Sequence, residues 1–336
     1  MRLMWHGFVV SILCVICMSG RDRVAATVPA NAANSVIWRH PTNISSLDLF
    51  YGAGGREHAP IGPFTFVEED LAGTNPKFVV ADPKGTRWTV KLGPEAKPET
   101  AATRIVWAAG YFANEVYYLE EIQVNNLPAR LHRGQSRVKQ NGVLYGVRLK
   151  RHLTSERKLG HWAWSENPFA GTREFNGLRV VMSLLNNWDL TDENNAVYEE
   201  LEGPQKGQRR FMVSDVGSTL GTGKLSWPMK HCRGDVDAFR HSAFLSHVES
   251  DHVDLHAPAG ASLFFLATPR EYRAKARIKW IGDNIPRRDA RWIGQVLAGL
   301  SPRQLRDAFR AAGYLPEDVD GFAATIEKRI RELQRL

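Results

Sequence analysis

The chain has almost no cysteine: three of its 336 residues are Cys, and two of these, Cys14 and Cys17, fall in an apolar run near the N-terminus. With that run removed, Cys232 stands alone, which excludes an intrachain disulfide and any cysteine-based zinc cluster. Stability has to come from a packed core. Long hydrophobic runs are also missing, since the stretch from Gly7 to Met18 is too short for a comfortable membrane span. No Gly-x-Ser-x-Gly occurs, so Ser218, Thr219 and Ser226 lack a nucleophile elbow and a serine hydrolase has little support. Repeats and low-complexity tracts are absent. The net charge is +8, but Lys and Arg are spread along the chain and do not cluster with aromatic residues, which argues against a nucleic-acid partner.

What is present is an ordinary globular composition, 43% hydrophobic and 24% charged, in a chain long enough for a two-lobed domain with an appendage. Met1-Arg2 followed by the apolar run and Ser19-Gly20 has the form of a secretory signal over residues 1–20. Export follows as the expectation, to a periplasm or to the outside of a cell, with no stable membrane span after signal removal. Cleavage falls either near Ser19 or at Ala30-Asn31-Ala32, and an uncleaved anchor is the alternative. Residues 21–47 read as a linker, 48–150 as a β-rich lobe, 151–285 as a helical lobe and 286–336 as a helical C-terminal extension.

Local patterns place the elements. Pro63 to Asp70 reads as a first strand, Leu71 to Pro76 as a turn, and Phe78 to Ala81 with Arg87 to Leu92 as a hairpin around Asp82-Pro83-Lys84-Gly85. A helix is predicted to begin near Pro98-Glu99 and to end before Gly110. Val116 to Leu119 and Val143 to Leu149 are further strands, and Arg173 to Asn187 carries helical periodicity. Ala196 to Leu201 and Arg209 to Val213 bracket a turn at Glu202 to Gly207, a hairpin that should bring Asp215 beside Asn194. Three helices follow from about Ala290, one of them opened by Ser301-Pro302 as N-cap and first helical residue.

Two short segments carry the chemistry. Asp189-Leu-Thr-Asp-Glu-Asn194 separates an Asp from an Asn by five positions, and Ser214-Asp215-Val216-Gly217 follows about twenty residues later. Upstream, Lys91 ends Trp88-Thr89-Val90-Lys91, and Glu99 lies eight positions on at a helix start. Phosphoryl transfer needs a cation on the phosphates, oxygen ligands for magnesium and a carboxylate at the accepting hydroxyl, and these segments offer each part in order.

In these motifs the chain resembles the protein-kinase-like superfamily, in particular its atypical branches such as the HipA-type and secretory-pathway kinases. The resemblance covers roughly residues 63 to 225. It implies an α+β, two-lobed fold, a β-rich N-lobe and a helical C-lobe, with nucleotide (ATP or another) and Mg between them and an unidentified acceptor. It also implies site roles: Lys91 on the phosphates with Glu99 fixing its ammonium, Asp189 orienting the acceptor, and Asn194 with Asp215 on the metal. The chain departs from the pattern in lacking the His-Arg before the catalytic loop, replaced by Asn187-Trp188, any Ala-Pro-Glu, and any Gly-x-Gly-x-x-Gly before Lys91. Gly73-Thr74-Asn75 stands in the position of that loop as the cofactor-binding substitute, with Gly52 to Gly55 lying earlier.

Blander readings stand beside these. A lone lysine at a strand end is ordinarily solvated, and Asp-x-Gly is ordinarily a turn; order and spacing together distinguish them here. His241, His247, His252 and His256 lie near Asp251 and Asp254, but their spacing fits no zinc pattern and they read as a solvated segment. His161-Trp162-Ala163-Trp164 and Phe169 read as core or interlobe packing, with stacking of a Trp on a nucleotide base or sugar as the alternative. The runner-up function is a kinase-like binding or scaffold protein without turnover, using the cleft or a basic face formed by Arg303, Arg306, Arg310, Lys328, Arg329 and Arg331.

Overall fold

A computed structural model describes residues 34–71, 75–226, 230–256 and 279–336. The expected leader, Gly73 and Thr74 therefore lie outside the described residues. The first element, β1 (Ser35–Val36), runs parallel to Arg209–Arg210. Residues 35 to 47 are thus built into the fold instead of forming the end of a linker. Ile37 is buried, Trp38 Nε1 donates to the Ala109 carbonyl at 2.8 Å, and Gln304 Nε2 donates to the carbonyls of Ile44 and Leu47 at 2.8 and 2.9 Å. The apolar Val36-Ile37-Trp38 supplies the reason, since only packing removes it from water.

Five strands then close into a barrel: β2 (Phe64–Asp70), β3 (Lys77–Ala81), β4 (Arg87–Leu92), β5 (Val116–Asn125) and β6 (Val143–Arg151), in the order β2-β3-β4-β6-β5. Neighbours are antiparallel except at the seam, where β2 meets β5 parallel. Alternation fixes which side chains enter the barrel. Phe78, Val80, Trp88, Val90, Leu92, Val147 and Leu149 point in and form its core, each large one contributing ~1.5–3 kcal/mol by burial. The intervening Lys77, Thr89, Lys91, Arg148 and Lys150 consequently share the outer face.

Helix α1 (Ala96–Ala108) crosses from β4 to β5, beginning two residues earlier than the sequence suggested because Pro98 in a first turn forfeits no hydrogen bond. Its Ala101, Ala102, Ile105 and Val106 join the larger of the apolar cores, together with α2 (Arg173–Leu184). Thr172 caps α2, its hydroxyl accepting from the Phe175 amide. Trp162 and Trp164 pack against Phe175, and Phe211 against Trp162, in that same core.

The segment 151–285 is richer in strand than expected. It holds β7 (Glu156–Gly160), β8 (Asn195–Glu200) and β9 (Arg209–Val213), which join β1 in the order β1-β9-β8-β7. Two smaller sheets comprise β10 (Thr222–Ser226) with β11 (Lys230–Cys232), and β12 (Leu245–Val248) with β13 (His252–Leu255) and β14 (Ile285–Pro286). One short helix, α3 (Val236–Arg240), lies between them.

Three C-terminal helices, α4 (Arg287–Leu297), α5 (Pro302–Arg310) and α6 (Pro316–Gln334), complete the larger core. Ser301 and Gln304 form a reciprocal capping box at the start of α5. The basic residues on these helices do not make a free cationic face. Arg306 pairs with Asp320 at 2.7 Å and Arg310 with Asp307 at 2.6 Å, while buried Arg329 donates to the carbonyls of Leu184, Phe239 and Ser242. Among the described residues no helix is long and apolar enough to cross a membrane.

Candidate functional site

Register places Lys91 of β4 directly opposite Arg148 of β6 on the outer face of the barrel. Two cations so paired repel, and the sheet tolerates them only if a carboxylate lies between. Glu99 of α1 does so, with Oε2 2.9 Å from Lys91 Nζ and Oε1 2.7 Å from Arg148 Nη2. Glu95, one helical turn earlier on the same face, places Oε2 2.8 Å from Lys91 Nζ. Both acids sit at the start of α1, where the helix dipole favours negative charge. The third carboxylate on the ammonium is Asp215, with Oδ2 at 2.9 Å and Oδ1 at 3.2 Å.

Lys91, Glu95 and Glu99 are buried, whereas the Asp215 side chain is 39% exposed and so is the member of the cluster that solvent reaches. Burial opposes the charge on Lys91, but Glu99 and Asp215 outweigh it and hold the ammonium above its ordinary pKa. Burial likewise opposes ionisation of Asp215. The Lys91 ammonium and the Gly217 amide, which donates to Oδ1 at 3.0 Å, prevail and pull its pKa down to about 2. The glycine is required by space: a Cβ on Gly217 would lie 2.9 Å from both Cβ and Oε2 of Glu95.

The turn carrying Asp215 is tied to the loop after α2. The amides of Ser214 and Asp215 both donate to the Asn194 carbonyl, at 2.7 and 3.1 Å, as the β8–β9 hairpin returns the chain there. Asn194 Nδ2 donates to the Asp189 carbonyl at 2.6 Å. A carbonyl can only accept, so the atom of Asn194 facing it has to be nitrogen, and the amide oxygen has no partner among the described residues. The Asp189 amide is fixed by Asn187 Oδ1 at 3.0 Å, while its half-buried carboxylate has no partner among the described residues.

The residues expected from sequence therefore stand in one connected series, Lys91 to Asp215 to Asn194 to Asp189, with Glu99 bracing the first. Asn75 is placed differently: its Nδ2 donates to Glu95 Oε2 at 2.7 Å, so it secures an acid of the cluster. Glu95, Arg148 and Arg233, whose Nε lies 3.3 Å from Glu95 Oε1, were not expected. A signal existed for one of them, since Arg148 interrupts the apolar run Val147-Arg-Leu149. Among the described residues the histidines join no metal group: His247 pairs with Glu249 and His252 with Asp251, both at the surface. Among the described residues, Glu95, Glu99 and Asp215 are the three carboxylates close enough to share a cation, with oxygens within 4.8 Å of one another.

No protein-family model matches the chain, and no curated protein does. Among solved structures, a Helicobacter pylori proinflammatory kinase, CtkA, is similar to it at 12% identity and a TM-score of 0.43, covering 81% of this chain and 96% of the kinase. Likeness at that level assigns no chemistry, which has to come from the chain's own side chains.

Proposed function

We propose that this chain is a phosphotransferase of two-lobed, protein-kinase-like fold, exported by its leader, that moves a phosphoryl group from a nucleotide to a hydroxyl acceptor with magnesium. One observation carries the reading. A buried, carboxylate-braced lysine meets a partly exposed aspartate side chain to side chain, and main-chain hydrogen bonds tie that aspartate's turn to the loop that carries Asn194 and Asp189.

In this reading Asp215 and the amide oxygen of Asn194 would hold magnesium, offering the hard oxygen atoms that ion takes. The bound ion supplies charge neutralisation at the transferring group. Lys91 turns from Asp215 to the phosphates while Glu99 keeps its ammonium in place. Asp189 receives the acceptor's hydroxyl proton as the oxygen bonds to phosphorus and the bridging oxygen leaves with the nucleoside diphosphate.

Thermal denaturation of the purified protein with and without ATP and magnesium tests this. The expected result is a rise in midpoint that needs both and is lost in Asp215→Ala, of the size that ~2.7 kcal/mol of ligand stabilisation gives at a hundredfold excess over Kd. Absence of any shift, with any nucleotide or divalent ion in either form, sinks the reading and leaves a non-catalytic binding protein.

A further inference from the structure

Beyond Lys91 the chain turns at Gly93 into α1, whose Glu95 and Glu99 close that end of the site. A ligand with its phosphates at Lys91 has to extend the other way, back along the outer face of the barrel. The next row on that face lies about 7 Å away, two residues along each strand. It consists of Val79, Thr89 and Lys150, in register across β3, β4 and β6. From Lys150 the chain passes through His152 to Ser155 into β7, which carries Lys158.

Lys150 differs from its neighbours in one respect. Lys77 has Asp70 at 3.1 Å, Lys91 has three carboxylates, and Arg148 has Glu99. Lys150 has no hydrogen-bond or ion-pair partner among the described residues, nor does Lys158. Thr89 offers it none, since its hydroxyl is engaged by His152 Nε2 at 2.7 Å. Burial, then Arg148, Lys158 and Lys77, bring the Lys150 pKa down to about 8, the mark of a crowded positive spot.

Beside these cations the row has apolar members: Val79 and Val116, the latter in register with Lys150, are buried yet belong to neither large core. Tyr198, in register with Lys158, packs with Ala196 and Met212 in a small cluster on β8 and β9. Apolar side chains of this kind suit the face of a base ring, and the ammonium beside them can only donate. Guanine presents O6 and N7, two adjacent acceptors, to such a head. Adenine presents N6–H2 beside N7 and opposes donor to donor.

Resting on the phosphotransferase reading, we propose that Lys150, assisted by Lys158, selects a guanine nucleotide by donating to O6 and N7 of its base. The test measures binding of GTP and ATP, each with magnesium, to the full chain by calorimetry, beside Lys150→Met and the exposed Lys158→Gln. Expected is at least about tenfold tighter binding of GTP than ATP by wild type, with that ratio falling toward one in Lys150→Met and reduced in Lys158→Gln. Equal binding of the two nucleotides, or a ratio unmoved by Lys150→Met, overturns the base choice alone. Binding of neither overturns the phosphotransferase reading and the base choice with it. Should Lys150→Met fail to fold, the wild-type ratio decides the matter together with Lys158→Gln.

Discussion

Replacing Glu99 by Gln keeps the shape of the side chain and removes its charge. The carboxylate is 2% exposed and serves two cations, Lys91 at 2.9 Å and Arg148 at 2.7 Å. Lys91 retains Glu95 and Asp215 after the change. Arg148 retains no acid, and its Nε and Nη1 are already buried without partners. Removing one member of a buried ion pair costs about 3–5 kcal/mol. The lower end applies, about 3 kcal/mol, because the amide oxygen of Gln still accepts one hydrogen bond. At roughly 2–4 °C per kcal/mol the midpoint should fall by 6 °C or more. Circular dichroism during heating reads this directly. The second half of the test is Glu99→Gln combined with Arg148→Met, which removes the stranded cation and should recover about 1–2 kcal/mol. A midpoint lowered by less than about 2 °C, or a double variant no more stable than the single one, would refute the bridging role given to Glu99.

Three further outcomes follow from the geometry. The folded pKa of Asp215, about 2, lies below its ordinary 3.8, so the stability it lends is complete above that value and is lost as pH falls through about 2. Acid titration should therefore show wild type and Asp215→Asn converging in stability across that window; a constant gap would contradict the Lys91 pairing. Asp189→Asn should keep the nucleotide-dependent rise in midpoint while slowing phosphoryl transfer by about 10²–10⁴, and unchanged turnover would remove Asp189 from the proton's path. Ser301→Ala deletes half of a capping box and should lower stability by about 1 kcal/mol in urea unfolding, with no effect at the site.

The sequence made the strands of the barrel readable because Trp88, Val90 and Leu92 alternate with polar residues, a period that local sterics fix. It made the pairing of Lys91 with Glu99 readable as well, since one strand and the helix after it determine both. The β8–β9 hairpin announced the return of Asp215 to Asn194 through its turn residues. Arg148 and Arg233 reach the cluster from 57 and 142 positions after Lys91, and nothing local marks which carboxylate a distant arginine will find. Glu95 carries no local signal, because the pattern starts the helix after it, near Pro98-Glu99. The two-residue strand β1 has too few positions to show any period, and its partner lies far along the chain. Gly73 and Thr74, expected over the phosphates, lie outside the described residues.

That small strand has a consequence for how the protein comes into being. Ser35 pairs with Arg209, a separation of 174 positions. A chain made from its N-terminus onward presents β1 long before its partner exists, and closing so wide a loop is a late, slow event. Until then β9, which leads into the turn of Asp215, keeps one edge of unpaired amides and carbonyls to which a strand of another molecule could add. The strand that leads to the Asp215 turn is thus completed by residues made 174 positions before its own start, and the interval before they dock is when the chain is most exposed to mispairing.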